Sequence, residues 1–474
     1  MSKVARSLEE AIRLAGLKSG MTVSYLHNLR GGDRISKRVI ETIQKMGFKG
    51  IVLAPSSMNA YEEPTVAECM LDGTVRRLDS TALGYSVVSK LIQAGRLDEV
   101  CTMRTHGGRP QAIENGSMHI DIAFIYASQC DESGNCNGVG GKSAFGSMGY
   151  AMPDAQYADR VIVVTDHLQK DPVYPISIDQ THVDFVVEVD SLGILDELAS
   201  DALRPTKDPV NLLIADYAAQ IIKHAGYIKD GVSMQTGAGA ISLAVATKIE
   251  QYMSEEQVCG RFAMGGITLP LTRMLDKGLF RVLYDVQDFD LESIRSLRER
   301  GRHIEVSASM YANPEARGGC IVNDLDCVVL GATEIDIDFN VNVHTDSNYN
   351  CISGAGGHGD TAEGAALTIV TAPAYRARSP ILLDKVALVS TPGRCVDVFV
   401  CQRGIAVNTS AGNNFELKER LLDAGLPVFD IHDLKTMIHK YTGTPAPVKK
   451  GGKVVAEVMW RDGTIIDRLM TKAD

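Results

Sequence analysis

Residues 120–137 read IDIAFIYASQCDESGNCN, and residues 325–342 read LDCVVLGATEIDIDFNVN. At a constant offset of 205, Asp121 meets Asp326, Ala127 meets Ala332, Asn135 meets Asn340 and Asn137 meets Asn342. Each stretch opens on a short apolar, β-branched or aromatic run. Runs of four to six such residues are buried strands, often parallel ones, with helices covering both faces of the sheet. Similar runs at 50–54, 160–164 and 386–389 are expected strands, and amphipathic patterns at 36–46, 241–252 and 291–300 are the expected helices. The class is α/β.

The echo continues outward from these two stretches. GVGG at 138–141 is answered by GAGG at 354–357, DRVIVV at 159–164 by DKVALV at 384–389, and VDFVV at 183–187 by VDVFV at 396–400. Several echoes in one order point to two tandem open-sheet α/β domains related by internal duplication. The expected junction is LRPTKDP at 203–209, where two prolines and mixed charge interrupt any regular element. This gives an N-terminal domain over 1–207 and a C-terminal domain over 208–474, the last residues, around KKGGK at 449–453, reading as a surface hairpin.

Composition limits the functions open to such a chain. Its 474 residues are 45% hydrophobic and 23% charged, ordinary for a globular protein with large cores. A net charge of -11 with no basic run argues against a nucleic-acid or anionic-membrane surface. No apolar stretch approaches the ~20 residues that span a bilayer, and the first twenty residues lack the apolar segment of a secretory signal. Ten scattered cysteines without a C-x-x-C motif read as reduced thiols, so a cytoplasmic setting is expected. There is no G-x-S-x-G, no P-loop lysine and no clustered Cys/His, which removes serine-hydrolase, ATP and metal readings.

Three glycine clusters in the second half are the candidate ligand loops: QTGAGA at 235–240 with Gly237 and Gly239, MGGI at 264–267 with Gly265 and Gly266, and SGAGGHGD at 353–360 with Gly354, Gly356 and Gly357. Glycine permits close backbone approach to a ligand, and amides at a helix start can hold an anion or a developing oxyanion. Turns and helix caps alone would also explain any one of them. Asp360 is the expected N-cap of a helix, with Glu363 completing a capping box. Within the third loop His358 is a candidate catalytic donor to a carboxylate or thioester oxygen, the alternative being a polar loop residue. Glu334, at the end of a strand, is the second catalytic candidate, though solvent-facing alternation predicts the same acid-apolar-acid pattern. Glu114, in an E-N-G, reads better as a surface turn than as a nucleophile.

RTHGGR at 104–109, IENG at 113–116, IDIAFIYAS at 120–128 and DESGN at 131–135 resemble the α-half signature of the CoA-transferases. HNLRGGD at 27–33, LAPSS at 53–57, YANP at 311–314, EIDIDFNVN at 334–342, GAGGH at 354–358 and GIAVN at 404–408 are similar to citrate lyase alpha subunits and keep their order. The resemblance implies tandem CoA-transferase-like domains and the exchange acetyl-carrier + citrate → citryl-carrier + acetate. It implies no covalently bound cofactor. The thioester would ride on the phosphoribosyl-dephospho-CoA arm of a gamma acyl carrier subunit, or on acetyl-CoA, and a beta (lyase) subunit would cleave citryl-carrier. An oligomer is expected. Arg30, Arg109 and Arg376 lie in or near the matching loops as candidate cations for citrate, a solvated arginine being the default reading of each.

One departure bears on mechanism. CoA-transferases that form covalent intermediates carry a nucleophilic glutamate in the second half; in the related acetyl-CoA hydrolase group it lies where this chain has FAMGGIT at 262–268, with no glutamate. Direct attack by the substrate carboxylate, through an anhydride, is therefore the expected route. The alternatives are a free-CoA transferase or acyl-CoA hydrolase using Glu114 or Glu334 covalently, a citramalate lyase alpha subunit, and, more remotely, a non-catalytic ligand sensor.

Overall fold

The computed structural model describes residues 3–198, 206–299, 301–412 and 414–473. Two large sheets carry the chain. In the first, strands run in the order Val4–Ala5, Phe185–Glu188, Arg160–Thr165, Ile122–Ala127, Thr22–Tyr25, Ile51–Leu53, Val75–Ser80, Cys101–Met103, Lys450–Met459 and Ile465–Lys472. Only the last pair is antiparallel. In the second, the order is His303–Glu305, Phe280–Asp288, Gly260–Ile267, Ser233–Thr236, Cys327–Gly331, Leu367–Thr371, Val398–Cys401, Gly404–Val407 and Val428–Phe429. The alternation of apolar residues along Cys327–Gly331 splits its packing between two cores. Cys327 and Val329 face one, with Met234, Ile249 and Leu271, while Val328 and Leu330 face the other, with Val370 and Phe399.

The seven strands from Thr22–Tyr25 to Phe185–Glu188 and the seven from Ser233–Thr236 to Val398–Cys401 occupy the same places in the same order. The echo residues sit at matching points. Asp121 accepts from the Thr22 amide and Asp326 from the Ser233 amide, each pinning the start of a central strand. Asp131 and Asp336, also 205 apart, each take a turn amide and the side-chain amide of the asparagine four residues on (Asn135, Asn340). Asn137 and Asn342 each accept the amides two and three residues ahead. These loops are held by the same local side-chain-to-backbone bonding.

Three sequence expectations are corrected. Residues 386–389 are not a strand, because the Val386 and Val389 amides go to the carboxylates of Asp336 and Asp467 rather than to a ladder. The strand in the place of Arg160–Thr165 is Leu367–Thr371, so the 159/384 echo is out of register. The C-terminal hairpin is present, but it is not confined to the second half: Ala456, Glu457 and Val458 pair in parallel with Cys101, Thr102 and Met103 and extend the first sheet. Its burial explains this, since Val455, Ala456, Val458 and Leu469 belong to the first core. Of the expected junction, residues 203–205 lie outside the described residues, and the following helix begins at Pro209 with Asp208 as its N-cap.

The two halves are tied across a polar seam. Asp360 accepts from Thr105 Oγ1 (2.8 Å) and the Gly107 amide (3.0 Å), and the His106 amide donates to the Gly356 carbonyl (2.9 Å). Ser147 donates its amide to Asp288 (2.8 Å), and the Met148 amide reaches Glu305. Asp285, Asp288 and His303 cluster behind this contact, fully or nearly enclosed. Burial pushes the Asp285 carboxyl up to about 7 and that of Asp288 well above the usual range.

Candidate functional site

A cleft of about 390 Å³ opens between the two sheets, at the carboxyl ends of their parallel strands. Thr22–Tyr25 runs into His27 and Arg30, Ile51–Leu53 into Ser57, Val75–Ser80 into Thr81, Cys101–Met103 into His106, and Phe280–Asp288 into Phe289. Open α/β sheets bind ligands outside these ends, where strand order reverses. In the first sheet that reversal falls between Ile122–Ala127 and Thr22–Tyr25, beside His27 and Arg30. Gly354 and Gly356, from the second half, close the opposite wall.

Arg30 supplies the charge. Its guanidinium carbon lies 4.1 Å from the Phe289 ring centroid, and among the described residues no carboxylate comes within ion-pair distance of it. The residue holds φ +51°, a left-handed conformation that costs a non-glycine residue roughly 1 kcal/mol or more. Burial pulls its pKa below the ordinary arginine value, though it stays cationic. The other two candidate arginines are committed elsewhere. Arg109 makes a bidentate pair with Asp154 (2.6 and 2.7 Å) and donates to the Ala54 carbonyl, and Arg376 donates to the Ala332 and Thr333 carbonyls.

Two histidine rings line the cleft, and Tyr150 stands against both. His27 and Tyr150 have centroids 5.3 Å apart, and His106 and Tyr150 4.5 Å in an edge arrangement. His27 Nδ1 meets Ser56 Oγ at 2.6 Å, and His106 Nδ1 meets Tyr150 Oη at 2.5 Å. Burial holds both histidines below their usual range, His106 down to about 3, so both are neutral near pH 7. The sole lining carboxylate among the described residues, Glu197, is paired with Arg34 at 2.6 Å.

The glycine clusters divide. Gly354 lies so close to Thr81 that a Cβ would stand 1.9 Å from its carbonyl oxygen, and Gly356 abuts the His106 ring. Gly265, Gly266 and Gly357 act one layer behind: Gly266 makes room for the Phe289 ring, and Gly265 for the Gln235 amide. That amide donates to Tyr311 Oη (3.1 Å), whose hydroxyl presses on Gly357. The MGGI stretch is a bulged part of Gly260–Ile267 rather than a loop after a strand, with the register shift between Gly265 and Gly266. Gly237 donates to the Val329 carbonyl and Gly239 caps the helix Ala240–Glu255; neither lines the cleft.

The predicted catalytic pair is not assembled. His358 opens the short helix His358–Gly364, and both ring nitrogens are engaged, Nδ1 with Thr391 Oγ1 (2.8 Å) and Nε2 with the Gly331 carbonyl (2.9 Å). Burial lowers its pKa to about 4, so Nε2–H donates to Gly331 and nothing remains for the cleft. Glu334 accepts from Asn342 Nδ2 (3.0 Å) and faces a different cavity, of about 570 Å³, beside His439 and the segment 444–448. Asp360 is not the N-cap, a place taken by Gly357; it sits in the first helical turn, its carboxylate turned to the seam and its pKa pushed up to about 6 by burial. Glu114 lies away from the cleft, accepting from Asn313 Nδ2. His27, His106 and Phe289 line the cleft and Tyr150 contacts two of them, and none of the four is a sequence candidate. The first two lie inside family-like motifs, so the signal was present, whereas Tyr150 and Phe289 have no local pattern.

The family model for citrate lyase, alpha subunit (CitF), matches residues 1–471. Citrate lyase alpha chains from Klebsiella pneumoniae and Escherichia coli K12 are 42% and 44% identical over 465 residues, covering 98% of this chain and 90% of each relative. A crystal structure of the alpha subunit of citrate lyase from Streptococcus mutans, in complex with citrate, is 42% identical, with a TM-score of 0.96 covering 100% of this chain and 92% of that one. The alpha subunit of a malonate decarboxylase from Acinetobacter baumannii shares the fold at a TM-score of 0.68 and 14% identity over 94% and 95% of the two chains. With a cleft at the strand ends, an arginine in it that has no carboxylate partner among the described residues, and this likeness over its length, the chain belongs to the citrate lyase alpha subunit family.

Proposed function

We propose that the cleft between the two sheets exchanges acids on a thioester: acetyl-carrier + citrate → citryl-carrier + acetate. The observation that carries this is Arg30, a cation without a carboxylate partner among the described residues, facing a cleft with neutral hydrogen-bonding rings. Citrate arrives ionised near neutral pH, so it needs no base to become a nucleophile. One of its carboxylate oxygens attacks the acetyl carbonyl carbon, and the carbonyl electron pair moves onto oxygen. Collapse of this tetrahedral oxyanion breaks the C–S bond and releases the carrier thiolate, leaving an acetyl–citryl anhydride. The thiolate then attacks the citryl carbonyl, and acetate departs with the electrons of the broken C–O bond. One thioester is lost, one is formed, and no net proton moves.

The chain's part in this scheme is alignment and charge. Arg30 holds a citrate carboxylate, while the wall at Gly354 and Gly356 and the His106 ring bring donors to the oxyanion. The cleft contains no unpaired carboxylate among the described residues, which favours direct attack over a glutamyl thioester. The thioester arm, of phosphoribosyl-dephospho-CoA type, would come from a gamma acyl carrier subunit, and a beta subunit would cleave the citryl product. No helix among the described residues is long and apolar enough to cross a membrane.

The test is acetate release from acetyl-carrier with citrate or citramalate added, alongside free acetyl-CoA as donor, followed by borohydride treatment of the enzyme. Citrate-dependent acetate release with no glutamate reduced is expected. A specifically reduced glutamate, or full-rate turnover with free acetyl-CoA, would replace this reading with the covalent one. Preference for citramalate would change the substrate and keep the chemistry.

A further inference from the structure

We propose that Tyr150 is a positioning residue that locks His106 in its Nε2–H tautomer, making it a fixed neutral hydrogen-bond donor to the reacting oxygen in the cleft. The proposal rests on the acyl-exchange reading of the same cleft, but its first observable does not. Tyr150 lies at the N-terminal edge of the helix Ala151–Tyr157, and its ring stands edge-on to His106. The hydroxyl has His106 Nδ1 as its one hydrogen-bond partner among the described residues, at 2.5 Å. Burial, with Tyr311, Asp360 and Asp285 nearby, holds this phenol well above its usual pKa, so it keeps its hydrogen. Among the described residues that hydrogen has one acceptor, Nδ1. A neutral imidazole that accepts at Nδ1 carries its own hydrogen on Nε2.

The ring cannot exchange these roles easily. Its backbone amide is bonded to the Gly356 carbonyl, Gly356 lies beside the ring, and Tyr150 closes the Nδ1 side. His106 is half-buried and lines the cleft that Arg30 also borders, and its Nε2 has no hydrogen-bond partner among the described residues. The two groups divide the work: Arg30 provides charge for a carboxylate that is anionic throughout, and His106 provides a directed dipole where charge appears only in the tetrahedral state. A neutral donor suits the second task, because a cation would hold the ground-state carboxylate as strongly as the oxyanion.

The test begins on the full chain with nitrogen-15-labelled histidine. The His106 signals, assigned with His106→Gln, are expected to show a hydrogen on Nε2 and a bare Nδ1. A hydrogen on Nδ1, or equal populations, would overturn the proposal whatever the enzyme catalyses. Tyr150→Phe is then expected to populate both tautomers and lower kcat roughly 10-fold, the scale of an outer partner that orients a ligating histidine. The KM for citrate should stay within about twofold, Arg30 being untouched. In a His106→Gln background, where an amide donor has no tautomer to select, Tyr150→Phe should add no further loss. A full, additive loss there would show that Tyr150 supports the fold and nothing more. Should Tyr150→Phe fail to fold, the wild-type tautomer alone decides.

Discussion

Replacing Arg30 by glutamine removes the one arginine or lysine that lines the cleft among the described residues, while keeping a side chain of similar reach. At an effective dielectric of about 20, a carboxylate ~4 Å from the guanidinium gains about 4 kcal/mol, before the cost of stripping water from both groups. Charged hydrogen bonds measured by substitution retain about 1.5–3 kcal/mol of this. At 1.4 kcal/mol per decade, citrate should bind roughly 10- to 150-fold more weakly to Arg30→Gln. The loss should appear in the KM for citrate, or in calorimetric titration, with the KM for acetyl-carrier near wild type. Because Arg30 is strained at φ +51°, the substitution relieves no backbone cost and should leave thermal stability almost unchanged. Arg30→Gly should raise the melting temperature by releasing that strain, yet lose citrate to the same extent. Unchanged citrate affinity in both variants would refute the assignment of the cleft.

Gly354→Ala places a Cβ 1.9 Å from the Thr81 carbonyl oxygen, so the wall must retreat by about 1 Å and kcat should fall on the order of 100-fold; stopped-flow acetate release checks it, and wild-type kcat would show that the wall is not used. Asp360→Asn leaves the Arg461 guanidinium (3.8 Å away) without its buried counter-charge and should destabilise the chain by about 2–4 kcal/mol in urea unfolding. The folded pKa of Asp285, about 7, lies above its unfolded value. Its contribution is therefore fully present at low pH and lost as pH rises through about 7. Asp285→Asn should accordingly gain melting temperature relative to wild type at pH 8.5 and lose that advantage at pH 5. Glu334→Gln, in the other cavity, should leave exchange within about twofold, and a collapse of kcat would reinstate a glutamate route.

The architecture was legible because α/β strands are short apolar runs, and because matched aspartates and asparagines recur at a fixed spacing to hold matched loops. Asp121 and Asp326 could be paired by eye since each serves the same strand-start amide. The register failed at 384–389, where an apolar run is buried without entering a ladder. Periodicity reports burial, and it cannot tell a sheet from a segment tied down by Asp336 and Asp467. The hairpin's place beside Cys101–Met103 was unreadable for another reason: no local signal encodes a partner some 350 residues away.

The loops that line the cleft were legible, and the contacts of the side chains on them were not. Gly354, Gly356 and Arg30 do line the cleft. His358 and Glu334 looked catalytic by their neighbours in sequence, but Thr391 and Gly331 engage both ring nitrogens of His358, and Glu334 faces another cavity. Conversely, His106 gains its meaning from Tyr150, which is 44 residues away and becomes adjacent only when the helix Ala151–Tyr157 packs behind the cleft. Donor and acceptor roles at a site are set by third parties, and a linear reading sees those last.

The most direct measurement is a crystal structure of this chain with citrate bound. The account predicts a citrate carboxylate on the Arg30 guanidinium and a second oxygen within hydrogen-bond reach of His106 Nε2, between Phe289 and the wall at Gly354 and Gly356. Citrate seated instead in the cavity beside Glu334 and His439, with Arg30 left bare, would contradict it.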